Sequence, residues 1–332
     1  MDALRGYLER YVPMINKRLD EVSRGWPQSL YEAARHLLLA GGKRVRPALS
    51  LLYARMLGGE PAEAKALDFA VAVELIHNFT LIHDDIMDKD EYRRGVPTVH
   101  KKYGENMAIL AGDLLFALAF EAAARNTYVA AANKAKALEL LASATRIVAE
   151  GQALDIGFEN RWNVSLDDYL EMVYRKTGAL IEASTGIGAL SVTLDEDIVS
   201  RARIYGRNIG IAFQIRDDII GTFGDPAVTG KPVYNDLARA KKTVLVIYAI
   251  SNLPPSKAEK LVSILNMKPS DKDLLEEAAS LIKDSGALEY ASSLAWKYVD
   301  EAIKSVEETV AIDEDAKKAL IEFARYIVER EK

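Results

Sequence analysis

Three aspartates, Asp84, Asp85 and Asp88, stand directly after His83 at the end of a largely apolar stretch. On a helix Asp84 and Asp88 are one turn apart and Asp85 and Asp88 three residues apart, so at least two carboxylates converge on one edge. Like charges at that spacing repel, and a merely decorative cluster beside so apolar a run would be costly. A hard divalent cation neutralises such a set, and Mg2+ commonly takes a few carboxylates while keeping waters and phosphate oxygens. A second pair, Asp217 and Asp218, follows Phe213-Gln214-Ile215-Arg216 and precedes Ile219-Ile220-Gly221. Either pair alone is an ordinary solvated helix end. Together, with basic segments nearby, they point to two helices holding several Mg2+ ions around one diphosphate, the ions serving as clamp and leaving-group activator.

The basic residues extend this chemistry. Gly41-Gly42-Lys43-Arg44-Val45-Arg46-Pro47 places three cations at a helix start, where exposed backbone N–H groups also favour an anion. Arg93-Arg94-Gly95 follows the first acidic cluster, and Arg175-Lys176-Thr177, Lys231 and Lys241-Lys242-Thr243 lie further on. Cations dispersed around two acidic clusters suggest two anionic substrates, one bound directly by Lys and Arg and one largely through Mg2+. The 43 basic and 49 acidic residues give a net charge of −6, so nucleic acid is not an expected partner. Cysteine is absent, which excludes disulfides, thiolate metal sites and thiol nucleophiles.

Helical periodicity must position these groups, because it persists through nearly all of the 332 residues while strand-like alternation is scarce. The pattern predicts helices near 2–22, 29–40, 44–57, 61–88, 106–125, 129–158, 166–192, 195–222, 235–250, 255–266, 270–282, 285–305 and 311–330. The first is expected to bend at Pro13, and Ser256 is expected to cap the helix after Pro254 and Pro255. Surface loops are expected over Lys89 to Glu105 and Phe223 to Asn235. No linker divides the chain and no signature recurs at a repeat-like period, so residues 1–332 are read as a single all-α domain of about a dozen helices. The apolar windows Phe69 to Ile82 and Met107 to Ala124 carry Glu74, His77, Asp113 and Glu121, which argues for core helices over bilayer spans. The opening residues do not resemble an export leader, and a cytoplasmic location is expected.

In these motifs the sequence resembles the trans-type polyprenyl diphosphate synthase family, above all its archaeal-type geranylgeranyl branch. The resemblance spans roughly Leu38 to Val244: GGKRxRP at Gly41 through Pro47, DDxxD at Asp84, Asp85 and Asp88 with the arginine pair Arg93 and Arg94, and the second motif at Phe213, Gln214, Asp217 and Asp218. It implies an isoprenoid-synthase-type helical bundle with a central active-site cavity. It also implies about three Mg2+ ions held by Asp84, Asp88 and Asp217, with Asp85 and Asp218 in support. Isopentenyl diphosphate would lie on Lys43, Arg46, His77 and Arg94, and the allylic diphosphate on Arg93, Lys176, Lys231 and Lys241. Thr177 and Gln214 would flank the reacting carbons, and Gln152 and Asp155 would belong to the inner shell of the site.

The implied reaction ionises an allylic diphosphate, adds the isopentenyl double bond to the allylic cation and loses a proton, with water excluded. One departure is Gly221, which stands where the simplest DDxxD form has a third Asp, although Asp225 follows nearby. Phe79 lies five residues before Asp84, about 7.5 Å down the helix axis. Thr80 lies more nearly beneath Asp84, so geometry alone does not choose between them. The resemblance chooses Phe79 as the gate of a tunnel that stops at C20, while C15 and C25 products stay open. It further implies a homodimer and transient membrane contact during product release. A terpene cyclase and a noncatalytic synthase subunit are the competing classes.

Overall fold

The computed structural model describes residues 2–159, 161–224 and 234–330; Lys231 and Asp225 lie outside the described residues. In chain order the helices are α1 (Asp2–Val22), α2 (Gln28–Leu39), α3 (Val45–Gly58), α4 (Pro61–Asp88), α5 (Val99–Tyr103), α6 (Glu105–Ala124), α7 (Ala131–Phe158), α8 (Leu166–Val173) and α9 (Ala179–Leu190). They continue with α10 (Glu196–Phe223), α11 (Asn235–Ala238), α12 (Val244–Asn252), α13 (Pro255–Asn266), α14 (Lys272–Asp284), α15 (Ala287–Glu307) and α16 (Glu314–Glu329). The architecture is an all-α helical bundle. Among the described residues its only sheet is the two-stranded ribbon β1 (Tyr92–Arg93) and β2 (Val96–Pro97).

The chain forms two compact units. The first comprises Met1–Thr145, Glu182–Arg203 and Val306–Glu322. Its centre is α4, which packs against α3 and α6. Pro61 opens α4 at a position where its missing N–H costs nothing, and Lys89 ends it in the left-handed conformation (φ 56°). Phe69 through Ile76 are all buried, as expected of a helix apolar on every side. Glu74 falls within this run and is neutralised by Arg44, 2.7 Å away. By length and composition α4 and α6 are each apolar enough to cross a bilayer; 67% of the α4 window and 44% of the α6 window is buried within the protein.

The second unit comprises Arg146–Ile181, Ile204–Ser305 and Phe323–Lys332. Ser165 and Asp168 form a reciprocal capping box at the start of α8, with bonds of 3.1 and 3.0 Å. Tyr169, Val173, Tyr205 and Ile215 are buried in its core.

Several predicted elements are interrupted. The expected helix 166–192 is broken by one π-helical turn, Tyr174–Gly178, an insertion that re-aims the side chains it carries. The expected helix 235–250 is two short helices separated before Thr243. The loop after α4 is ordered as the ribbon and α5, with Arg94 and Gly95 at its turn, both at positive φ (53° and 75°). Helix α1 is continuous through Pro13. Helix α13 opens at Pro255 without a side-chain cap, so Ser256 is inside the helix and does not cap it.

Candidate active site

The ribbon delivers two adjacent arginines to different destinations. Arg93 donates through Nε to Asp85 Oδ1 and, at 3.3 Å, to Asp90; the same guanidinium lies 4.0 Å from Asp84. The positive-φ turn sends Arg94 the other way, to the Leu37 carbonyl (3.1 Å), the Gly41 carbonyl (2.6 Å) and Asn78 Oδ1 (3.2 Å). Gly42 sits at φ 144°, and a Cβ there would stand 3.1 to 3.3 Å from the Arg94 guanidinium. The glycines of GGKRxRP therefore serve both the turn and the close approach of Arg94.

Arg46 approaches His77 Nε2 at 3.4 Å. A guanidinium only donates, so His77 Nε2 is the acceptor and the imidazole is neutral with its proton on Nδ1. Burial, then the positive charges of Arg46, Arg94, Arg93 and Arg44, holds His77 well below the ordinary imidazole range. The structure thus gathers Arg46 with His77, and Arg94 with the glycine turn that carries exposed Lys43. Arg44 is different: it is buried and bonded to Glu74, Asn16 and the Leu38 carbonyl, whereas Lys43 is exposed and Arg46 half-buried.

Along the acidic end of α4, Asp85 is fully buried, Asp84 is partly exposed and Asp88 is exposed. Burial raises the Asp85 carboxyl to about 6 against the opposing pull of Arg93, with Asp84 and Asp90 adding to the rise. Its Oδ2 is buried without a hydrogen-bond partner. An orphaned carboxylate oxygen beside two further carboxylates fits a hard cation. Among the described residues no three acidic or histidine side chains form a ready-made metal cage.

Phe79 is half-buried, with its ring edge-on to His83 at 4.9 Å and to Phe116 at 5.5 Å; Phe116 continues to Phe120 at 5.1 Å. Thr80 is turned back on its own helix, its hydroxyl bonded to the His77 carbonyl at 2.8 Å. The aromatic row, which single-residue spacing did not reveal, begins at Phe79.

In the second unit the π-helical turn carries Arg175, Lys176 and Thr177. It packs so closely on α7 that a Cβ on Gly151 would lie 2.3 Å from the Lys176 nitrogen. Lys176 pairs with Asp155 at 2.6 Å, and partly buried Gln152 shares that helix. Thr177 donates to Gln214 Oε1 at 3.0 Å, Gln214 Nε2 donates to Asp218 Oδ1 at 2.9 Å, and Tyr169 donates to Asp218 Oδ2 at 2.6 Å. Burial raises the Asp218 carboxyl to about 7, opposed by the bonds from Tyr169 and Gln214. Both oxygens of Asp218 are therefore engaged by side chains.

Asp217, more exposed, accepts from Arg330. Exposed Lys241 lies 3.7 Å from Asp236. Gly221 is explained by the same Asp236: a Cβ at 221 would stand 2.1 Å from its Oδ2. Sequence reasoning missed Tyr169 and Arg330. Tyr169 carried a readable signal, an aromatic hydroxyl on the apolar face of the helix leading into Arg-Lys-Thr; Arg330 carried none.

The all-α fold and the family match define a prenyltransferase of the trans type. The chain belongs to the polyprenyl synthetase family, whose model matches residues 27–282. It is 50% identical to a geranylfarnesyl diphosphate synthase of Aeropyrum pernix, over 92% of this chain and 96% of that one. Identity to a geranylgeranyl diphosphate synthase of Saccharolobus solfataricus is 41%, covering 100% and 99%. The crystal structure of a geranylgeranyl pyrophosphate synthetase from Pyrococcus horikoshii superposes with a TM-score of 0.93 at 41% identity, covering 99% of each chain.

Proposed function

We propose that this enzyme joins isopentenyl diphosphate head-to-tail to an allylic diphosphate and ends at geranylfarnesyl diphosphate, the C25 product. The observation that carries this product length is the 50% identity to the Aeropyrum pernix protein. Geranylgeranyl diphosphate, C20, is the second reading. It is favoured by the aromatic gate at Phe79, backed by Phe116, with Thr80 folded away beside it.

Asp84, Asp88 and Asp217 would hold Mg2+, about three ions in all, with Asp85 and Asp218 in support. When bound, Mg2+ neutralises the allylic diphosphate and stabilises it as a leaving group. Lys43, Arg46, His77 and Arg94 bind isopentenyl diphosphate, His77 as a neutral donor through Nδ1. Arg93, Lys176, Lys231 and Lys241 bind the allylic diphosphate. Thr177 and Gln214 face the carbons where positive charge develops, and their hydrogen bonds leave them little freedom to reorient. The isopentenyl double bond attacks the ionised allylic carbon, and loss of a proton restores an allylic diphosphate one unit longer. The same reading has residues 1–332 acting as one catalytic domain, in a cytoplasmic homodimer that meets a membrane transiently as the apolar product leaves.

The test is to incubate purified protein and Mg2+ with isopentenyl diphosphate and dimethylallyl, geranyl or farnesyl diphosphate in turn, and to resolve products by mass spectrometry. A dominant C25 product supports the main reading and a dominant C20 product the second. Turnover of an allylic diphosphate without isopentenyl diphosphate points to a cyclase.

A further inference from the structure

Tyr169, Asp218, Gln214 and Thr177 form an unbroken line of hydrogen bonds, with its polarity set by the Asp218 carboxylate, which accepts at both oxygens, and that carboxylate anchored by Tyr169. Tyr169 is buried, and its hydroxyl donates to Asp218 Oδ2 at 2.6 Å. The other oxygen, Oδ1, accepts from Gln214 Nε2 at 2.9 Å. With its NH2 group committed to Asp218, Gln214 turns Oε1 to Thr177, whose hydroxyl hydrogen is given to it at 3.0 Å. What Thr177 retains for any neighbour is lone pairs.

We infer that Tyr169 is a positioning residue for the prenyl transfer: by pinning Asp218 it fixes the amide of Gln214 and so keeps the Thr177 oxygen, not its hydrogen, turned to the reacting carbons. The inference rests on the reading that Thr177 and Gln214 flank those carbons. Without the phenol, one oxygen of a buried carboxylate loses its donor and Asp218 is free to turn. Once Asp218 turns, its Oδ1 leaves Gln214 Nε2, and the amide, no longer held by an acceptor on that side, can flip and donate to Thr177. The Thr177 hydrogen is displaced outward, and a dipole that supported developing positive charge opposes it.

Two backbone features hold the far end of the line. The π-helical turn places Thr177 where a regular helix would not, and Gly210 lets α10 approach so closely that a Cβ there would lie 2.5 Å from Gly178 Cα. Thr177 thus has little room to follow a wandering Gln214, and Tyr169 preserves the direction of the line by keeping the Asp218 carboxylate facing Gln214.

The experiment is a double-mutant cycle on the full chain, with Tyr169→Phe, Thr177→Val and the pair, read as steady-state kcat and KM for both diphosphates. Tyr169→Phe is expected to lower kcat about tenfold, less than the roughly 10²-fold or more lost with a directly contacting group. Both KM values stay within about twofold, because neither diphosphate is touched. In the Thr177→Val background the same Tyr169 change has little further effect. Additive losses in the pair, or an unchanged kcat in Tyr169→Phe, overturn the assignment. If Tyr169→Phe does not fold by circular dichroism, Asp218→Asn replaces it in the cycle: its amide NH2 can face Gln214 and reverse the line. Coupling of Asp218→Asn to Thr177→Val is then expected, and additivity overturns the assignment. Wild-type condensation in the same assay separates the two levels: its absence removes the underlying reading, whereas its presence with additive variants removes only the role of Tyr169.

Discussion

Arg330 donates to Oδ1 of Asp217, and its guanidinium lies over the ring of Phe213, 4.0 Å from the centroid. The clasp is reciprocal, since Arg216 donates through two nitrogens to the Arg330 carbonyl, at 2.9 and 2.7 Å. The segment after α16 is thereby tied to the second acidic motif at three residues. Arg330→Ala is expected to cost about 1–2 kcal/mol, combining a lost cation–π contact with a lost charge-assisted bond. Arg330→Lys restores only part, because an ammonium cannot both stack flat and fork. Urea unfolding of the three proteins checks this.

Removing Asp84 tests the acidic end of α4. Asp84→Ala is expected to lower turnover by about 10²-fold or more while leaving the circular dichroism spectrum and unfolding midpoint near wild type. Wild-type protein should gain thermal stability when Mg2+ and inorganic diphosphate are added together, and the variant should gain much less. Full activity in the variant would remove Asp84 from the metal site.

Phe79→Ala takes away the ring that touches both His83 and Phe116. The expected result is a product distribution shifted to longer chains on mass spectrometry, because space opens where the chain would grow. An unchanged distribution would make Phe79 ordinary packing.

Asp85 offers a pH test in metal-free protein. Burial raises its folded value from the ordinary 3.8 to about 6, so the folded state binds the proton more tightly than the unfolded chain does. Its contribution is fully present below about pH 4 and is lost as pH rises through about 6. Wild type should therefore lose stability relative to Asp85→Asn across that interval. A constant difference between the two unfolding curves would contradict the shift.

At Gly221 the expected outcome runs against motif logic. Gly221→Asp restores the simplest acidic pattern yet should lower stability and activity, because the added Cβ meets Asp236. Even Gly221→Ala should cost about 1–3 kcal/mol as overpacking. A gain of activity in Gly221→Asp would show that Asp236 moves aside freely.

Most helices were legible because the apolar period of α10, α14 or α16 is a local property that tertiary packing only reinforces. The acidic and basic motifs stood out only in combination, since an acidic or basic pair alone is an ordinary solvated surface feature. What stayed hidden depends on three-dimensional neighbours. The π-helical turn at Tyr174–Gly178 requires the approach of Gly151, and nothing within the turn announces it. Arg44 reads as a surface cation until Glu74, thirty residues on, arrives in the core beside it. The break before Thr243 was missed because its flanking residues are individually compatible with helix.

The tight fit of Gly221 against Asp236 also makes the residue at 221 and the placement of the Asp236 carboxylate dependent on each other. Any side chain at 221 must displace the end of the Asp236 side chain, so a substitution there reads out how firmly Asp236 is held, separately from any role in binding a metal.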